Sequence, residues 1–262
     1  MKTVYYYQTF IGLDKLLSHV QDIDTIIISS IHFDKDKHGK ENIYLNDNLP
    51  SDEKFNQMWM ETKEISNEGK LILLMVGGAG GAYSELFNDF DTYYPLLKDL
   101  LKNQTHINGI DLDIEETVSI ENVKMLIRKL KDDFGEEFKI TMAPVASSMQ
   151  TDSSGMGSFC YKELASSEEG KMIERYHVQC YGSFSFETYQ SIIKNGWNPE
   201  QIIMGMMSGQ FKDTFKVALQ EVAKCLKEYS TMAGVFVWEY IDSPPDENDP
   251  SQWCHLMTDL TE

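Results

Sequence analysis

The chain has 262 residues, 42% of them hydrophobic and 25% charged, a globular composition that excludes disorder and collagen-like repeats. Its 42 acidic against 23 basic side chains leave a formal charge of −19, with arginine only at Arg128 and Arg175. That balance excludes nucleic acid, which is held by clustered Lys and Arg, and an acidic lipid surface as partners, while a neutral ligand stays compatible. No apolar run approaches the roughly 20 residues that span a bilayer.

From the N-terminus, MKTVYYYQTF lacks the apolar stretch of a signal peptide, so no targeting segment is visible. Eight apolar runs of strand length then recur, at residues 4–9, 25–33, 71–76, 107–114, 139–145, 177–181, 201–207 and 234–239. The segments between them carry helical spacing. Leu13, Leu16, Leu17 and Val20 make one such face, Val123, Leu126, Ile127 and Leu130 a second, and Phe215, Ala218, Val222, Leu226 and Tyr229 a third. The stretch around Trp253, Leu256, Met257 and Leu260 reads as a short closing helix.

Strands that are apolar on both faces belong in parallel sheets covered by helices on each side. Eight units of roughly 33 residues match the size of a β/α building block. The pattern predicts an α/β fold, a single-domain (β/α)8 TIM barrel over residues 1–262, with an open doubly wound sheet as the alternative. Three longer non-periodic stretches, residues 34–48, 146–158 and 242–252, would follow the second, fifth and eighth strands. They would then lie at the C-terminal mouth, where barrels build their sites.

The segment Asn108-Gly109-Ile110-Asp111-Leu112-Asp113-Ile114-Glu115 carries the chemistry. Alternation puts Asp111, Asp113 and Glu115 on one face with Gly109, and Ile110, Leu112 and Ile114 on the other. Three carboxylates on a buried strand face are costly unless paired or protonated, and their repulsion should raise at least one pKa. A general acid working near neutral pH needs that shift. Glu115, nearest the mouth, is the natural proton donor, with Asp113 below it to hold or share the proton. The competing readings are a metal cluster and a solvated edge strand. The apolar alternates oppose an edge strand, and only His106 lies near enough in sequence to join a metal set.

NGIDLDIE resembles the D-G-x-D-x-D-x-E signature of the family 18 glycoside hydrolases, which include chitinases and endo-β-N-acetylglucosaminidases. Lys70 to Gly78, KLILLMVGG, is similar to the family's third strand ending in S-x-G-G, and Thr141-Met142-Ala143-Pro144 to its T-M-A-P motif. Gln179-Cys180-Tyr181 resembles its Q-x-Y, and Gly234 to Trp238 its last strand, whose Trp floors the central subsite. The resemblance implies cleavage of β-1,4 bonds beside N-acetylglucosamine, with retention and with the substrate's own N-acetyl oxygen as nucleophile. It also implies that Glu115 protonates the leaving oxygen, that Asp113 orients the acetamido group and that Asp111 shares its proton from beneath. Tyr181 would hydrogen-bond the acetamido carbonyl and Trp238 would stack under the sugar. Met142, Gln179 and Gly78 would line the pocket. No metal and no cofactor is implied, and the expected partner is a β-1,4-linked N-acetylglucosamine glycan bound by a monomer.

The chain departs from the family pattern at Asn108 in place of Asp, Met75 in place of Ser, Val145 in place of Glu and Gly182 in place of Asn. Asn108 falls on the face opposite the acids, which predicts a structural effect only. A thioether at Met75 predicts altered hydrogen bonding of Asp111. Only Ser208-Gly209-Gln210 separates the seventh strand from a helix starting near Phe211, leaving no room for the α+β insertion of many chitinases and predicting a shallow, open groove. A lectin-like, inactive barrel is the alternative function, and retention of Glu115, Asp113 and Tyr181 favours the enzyme.

Other motifs read as structure. The glycine loop from Gly77 to Ala82 lacks the third glycine of a dinucleotide frame, where Tyr83 stands, which disfavours an oxidoreductase. Asp34 to Gly39 imitates the start of a calcium loop, but the twelfth position is Leu45. His177, Trp59 and Trp197 read as core, and the acidic segment 242–249 as a solvated loop. Cys160, Cys180, Cys225 and Cys254 have no metal spacing and read as free thiols. One glycosylation sequon, at Asn103, assigns no compartment.

Overall fold

Period-two alternation sorts the side chains of each apolar run onto two faces. In the computed structural model, which describes residues 1–261, both faces are covered. Among the described residues the strands are β1 (Lys2–Tyr7), β2 (Thr25–Lys35), β3 (Glu41–Leu45), β4 (Leu71–Gly77), β5 (Gly109–Asp113), β6 (Lys139–Met142), β7 (Arg175–Gln179), β8 (Ile202–Met207) and β9 (Gly234–Trp238). All but β3 are parallel, paired in the order β1-β9-β8-β7-β6-β5-β4-β2, and β1 pairs with β2 to close the ring. The expected (β/α)8 barrel forms as one domain. The doubly wound alternative fails because no barrel strand is left with a free edge.

Val4, Tyr6, Ile27, Leu73, Met75, Ile203 and Phe236 fill the lumen, with Tyr181 and Trp238 lying over them. The alternate residues, such as Tyr5, Ile28, Leu74, Leu112 and Met204, pack outward against the helices. Removal of both sets from water, at roughly 25 cal/mol per Å² of apolar surface, drives closure. On the N-terminal side, buried Arg175 joins Asp24 at 2.9 Å and Glu174 at 2.8 Å, and Lys2 meets the other Asp24 oxygen at 2.7 Å. β1, β2 and β7 are thereby tied below the barrel floor.

The structure adds one strand to the eight expected. β3 lies inside the stretch read as non-periodic and runs antiparallel to the far end of β2, with His32 opposite Tyr44 and Phe33 opposite Ile43. Only Ile43 and Leu45 of its five residues are buried, too few to stand out among the surrounding charges. The calcium-like segment is the turn of this hairpin, where Asp36 accepts the N–H groups of His38 and Lys40 at 2.8 and 3.0 Å. The predicted first helix face is also corrected. A four-residue helix, Asp14–Leu17, lacks an N-terminal side-chain cap and gives way to a 3-10 turn at Val20–Asp22. So short a helix gains too few backbone hydrogen bonds to propagate.

The other helical faces form. Ile120–Phe134 starts at Ser119, which accepts the Glu121 N–H at 3.2 Å, and buries Val123, Leu126, Ile127 and Leu130. Phe215–Glu228 begins four residues past Phe211 because Ser208–Phe211 turns first as a 3-10 segment. No inserted domain stands between β8 and this helix. Ser251–Thr258 closes the chain, with Trp253 edge-on to Tyr5 at 4.9 Å. Trp59 and Trp197 are core, donating to the carbonyls of Pro50 and Met149 at 3.0 and 2.9 Å. The four cysteines are free thiols.

The turn after β4 is held from the next strand. The Glu116 carboxylate accepts the N–H groups of Ala82, Tyr83 and Ser84 at 2.5, 2.6 and 3.2 Å, together with the Ser84 hydroxyl. It thus caps the helix Tyr83–Asn88. Burial alone would raise its pKa, but these hydrogen bonds outweigh burial and lower it. Glu116→Ala should cost about 1–3 kcal/mol of stability at neutral pH. A lowered folded pKa means the contribution is present above the ordinary value of 4.5 and lost as pH falls through the folded value. Thermal unfolding at about pH 7 and about pH 3 should therefore show a lower Tm for the variant only at the higher pH. An unchanged Tm at neutral pH would remove Glu116 from this role.

Candidate active site

β5 runs up the barrel wall with Gly109, Asp111 and Asp113 facing inward, and Glu115 follows just past its end. Asp111 has no solvent exposure. A buried carboxylate without partners costs several kcal/mol, and three strands supply them. The Tyr6 hydroxyl donates to Oδ2 at 2.8 Å from β1, and the Thr141 hydroxyl to Oδ1 at 2.5 Å from β6. From β7, His177 Nδ1 lies 3.0 Å from Oδ1. Burial and the neighbouring charges of Asp111 and Asp113 hold the Tyr6 phenol well above its ordinary pKa, so it stays a donor.

Asp113 is 5% exposed. Burial first, then the charges of Glu115 and Asp111 and a hydrogen bond shared with Glu115, push its pKa well above the usual carboxylate range. The expected rise therefore falls on the middle acid. Gln179 orients the pair, its Nε2 lying 3.1 Å from Asp113 Oδ1, 3.4 Å from Glu115 Oε1 and 2.9 Å from the carbonyl of Ala143. Tyr181, half-buried beyond the end of β7, has its pKa raised by burial and by the charges of Asp113 and Glu115, so it too presents a hydroxyl proton. Trp238 is half-buried at the end of β9, its ring 5.3 Å from that of Tyr6.

Gly77 and Gly78 have φ of +96° and +83°. A Cβ on Gly77 would meet the Asp113 carbonyl at 2.2 Å, and one on Gly78 would meet Met75 Cε at 2.7 Å and Asp113 Oδ2 at 3.5 Å. Only glycine lets the turn after β4 lie this close to the middle acid.

Glu115, Asp113, Tyr181, Trp238, Gln179 and Gly78 thus converge at the C-terminal mouth, with Asp111 buried in the lumen beneath them. Met142 does not. It is fully buried in the outer core, in register with outward-facing Leu112, while its neighbour Thr141 points inward to Asp111. The reading that placed Met142 in the pocket had the phase of β6 wrong. Met75 faces the lumen in register with Asp111 and offers it no donor; Tyr6, Thr141 and His177 serve instead. Asn108, on the other face, accepts the Ile72 N–H at 2.8 Å and only ties β5 to β4.

Tyr6, Thr141 and His177 were missed as site residues. For His177 a signal existed, since it shares strand parity with Gln179 and Tyr181. It is not the fully satisfied core histidine expected, because its Nε2 has no partner among the described residues.

Past the ends of β1, β2 and β4 opens a cleft of about 610 Å³ lined by Gln8, Thr9, His32, Asn46 and Ala79. It adjoins a second of about 400 Å³ that shares His32 and Asn46 and reaches Tyr44 and Gly80. Glu239 accepts the N–H groups of Gln8 and Thr9 at 2.7 and 2.9 Å, joining the cleft to the strand end that bears Trp238. His32 bridges the Ser30 hydroxyl at 2.8 Å and the Gly81 carbonyl at 2.6 Å. The β2–β3 hairpin raises one wall of a groove expected to be shallow throughout.

The sequence profile described as Glycosyl hydrolases family 18 matches residues 2–214. β9 and Trp238 lie beyond that range. Among solved structures, a fungal endo-beta-N-acetylglucosaminidase from glycosyl hydrolase family 18 superposes with a TM-score of 0.86 at 28% identity, covering 99% of this chain and 98% of that one. The chitinase ChiC from Aspergillus fumigatus superposes with a TM-score of 0.85 at 27% identity, over 100% and 99% of the two chains. A GH18 chitinase from Pseudoalteromonas aurantia shares the fold, with a TM-score of 0.73 at 17% identity over 99% and 100%. Comparison with curated proteins found no match. With the acid ladder on β5 and a profile match over most of its length, the chain belongs to glycosyl hydrolases family 18 and is a glycoside hydrolase.

Proposed function

We propose that the chain hydrolyses β-1,4 bonds next to N-acetylglucosamine, with retention and by substrate-assisted catalysis. The observation that carries this reading is that Asp113 and Glu115 lie side by side at one strand end, where the single Gln179 amide reaches both, at 3.1 and 3.4 Å. Retention with a protein nucleophile needs two carboxyls on opposite sides of the bond, about 5–5.5 Å apart. Two acids on one strand that one amide holds side by side do not flank a glycosidic oxygen in that way. One of them serves as the acid, and the nucleophile comes from the sugar's own acetamido oxygen.

In the proposed sequence Glu115 gives its proton to the bridging oxygen as the bond to the anomeric carbon breaks. The acetamido oxygen attacks that carbon from the opposite face and closes a five-membered cationic ring. Asp113 turns its hydrogen bond to the acetamido N–H, and the negative site below stabilises the positive ring. The Tyr181 hydroxyl holds the acetamido oxygen in line, and Trp238 supports the sugar face. Water, giving a proton to Glu115, then opens the ring and restores the configuration. Asp111 sits beneath as a proton-sharing partner, Gln179 keeps the two upper acids aligned, and Gly78 leaves room beside Asp113.

The endo-β-N-acetylglucosaminidase and chitinase among the similar structures support a β-linked N-acetylglucosamine glycan as substrate. A fluorogenic chitotriose and an N-glycan core, offered side by side between about pH 4 and 8, separate the two substrate classes. Hydrolysis of neither overturns the reading. Glu115→Gln should lower kcat by about 10²–10⁴-fold and leave oligosaccharide affinity near the wild-type value, as titration calorimetry would show. Equal loss of binding and rate would count against Glu115 as the acid.

Tyr181→Phe should slow turnover by about 10- to 1,000-fold, by analogy with other donors to a developing charge; an unchanged rate removes Tyr181 from the mechanism. Asp113→Asn should abolish most activity yet raise the Tm at neutral pH. The native acid has a raised pKa, so its stability is greatest below the ordinary value of 3.8 and falls as pH rises towards the folded value. Asparagine escapes that penalty, and the gain should vanish near pH 4, roughly where the unfolded acid protonates. An inactive variant with a lower Tm at pH 7 would contradict the burial of a neutral Asp113.

A further inference from the structure

The proposed function puts one sugar on Trp238, and the cleft lies to the β1, β2 and β4 side of that residue. The opposite side of Trp238 is formed by β8. Met207, the last residue of β8, pairs in register with Trp238 of β9, one step above Gly205 and Phe236. Along β8, Ile203 lies in the lumen while Met204 and Met206 are fully buried in the outer core. Alternation therefore turns Met207 inward at the rim. On its far side, β7 pairs Gln179 with Gly205, so Tyr181, two residues on, stands level with Met207.

Met207 is 39% exposed, whereas Met75, Met204 and Met206 in and around the barrel are at most 1% exposed. A scattered apolar residue on an outer surface needs no explanation. This one stands at the rim, on the strand end that register places between those carrying Tyr181 and Trp238. Its place is held firmly: the Glu239 N–H donates to the hydroxyl of buried Ser208, the next residue, at 3.3 Å. An unbranched thioether is flexible and polarisable and packs well on irregular apolar surfaces, such as the C–H face of a pyranose.

We infer that Met207 is a substrate-binding residue, the apolar seat for the sugar unit that continues the chain past Trp238 on the side away from the cleft. The glycan then crosses the whole mouth, from the β2–β3 hairpin over Trp238 to β8, with the acids at its middle. This rests on the proposed function only in taking the ligand to be an N-acetylglucosamine oligomer.

The test uses chitohexaose, long enough to occupy both sides. Met207→Gln, nearly isosteric but polar, should weaken binding to the Glu115→Gln protein about tenfold by titration calorimetry, the scale of one lost apolar contact in a pocket. On the active chain the same change should raise KM by about tenfold with kcat within about twofold. Met207→Leu should restore both constants to within about twofold of the wild type, and neither variant should shift the Tm, because the side chain is exposed. Unchanged KM and affinity in Met207→Gln, a loss confined to kcat, or a Met207→Leu variant as weak as Met207→Gln would each overturn the assignment. Binding of chitohexaose without hydrolysis by the wild type would refute the hydrolytic reading, and the titration would still decide the role of Met207. No binding at all would refute both.

Discussion

A carboxylate sealed inside a closed barrel imposes the strictest condition on this molecule. Asp111 has no access to water, and its stability depends on hydroxyl or ring donors from β1, β6 and β7 arriving together. Those strands are far apart in sequence and meet only when the ring is closed. The same burial sets the chemistry above it. Burial and the charges of Glu115 and Asp111 hold the Asp113 carboxyl well above the usual carboxylate range. The lumen is at once the core of the fold and the floor of the site.

The mouth is built in a different way. Its side chains stand on strand ends and short turns, and each turn is pinned by a polar contact from a neighbouring unit. Glu116 holds the turn after β4, Glu239 holds the segment after β1, and His32 links β2 to Gly81. These contacts let loops without regular structure present a defined surface. The large negative charge, −19 over the chain, does not hinder a neutral glycan. It adds to the cost of ionising further acids at the site. The one raised wall, formed by β2 and β3, gives the groove a direction that eight bare β/α units would lack.

Much of this is legible in the amino-acid sequence. Because the barrel strands are covered on both faces, most of them are rich in apolar residues, and eight such runs separated by helix-length stretches describe the barrel. The three acids could be put on one face because alternation within a strand is local geometry. Where the reading failed, the missing information was not local. Met142 and Thr141 are adjacent, and which of them faces the lumen depends on the phase of β6 against β5. Nothing within four residues of strand fixes that phase. β3 escaped notice because a short hairpin strand with two buried residues carries almost no periodic signal.

The amino-acid sequence by itself determined the number and order of the β/α units, the inward face of β5, and the presence of acids at its mouth end. These follow from hydrophobic periodicity and from the fixed alternation of side chains along one strand. Tertiary structure alone decided that the ring closes, that Tyr6, Thr141 and His177 meet Asp111, that Met142 lies outside and Met207 inside, and that a hairpin walls the cleft. Each of these depends on the register between strands distant in the chain, which is set only when the two apolar layers pack and every buried polar group must find its partner.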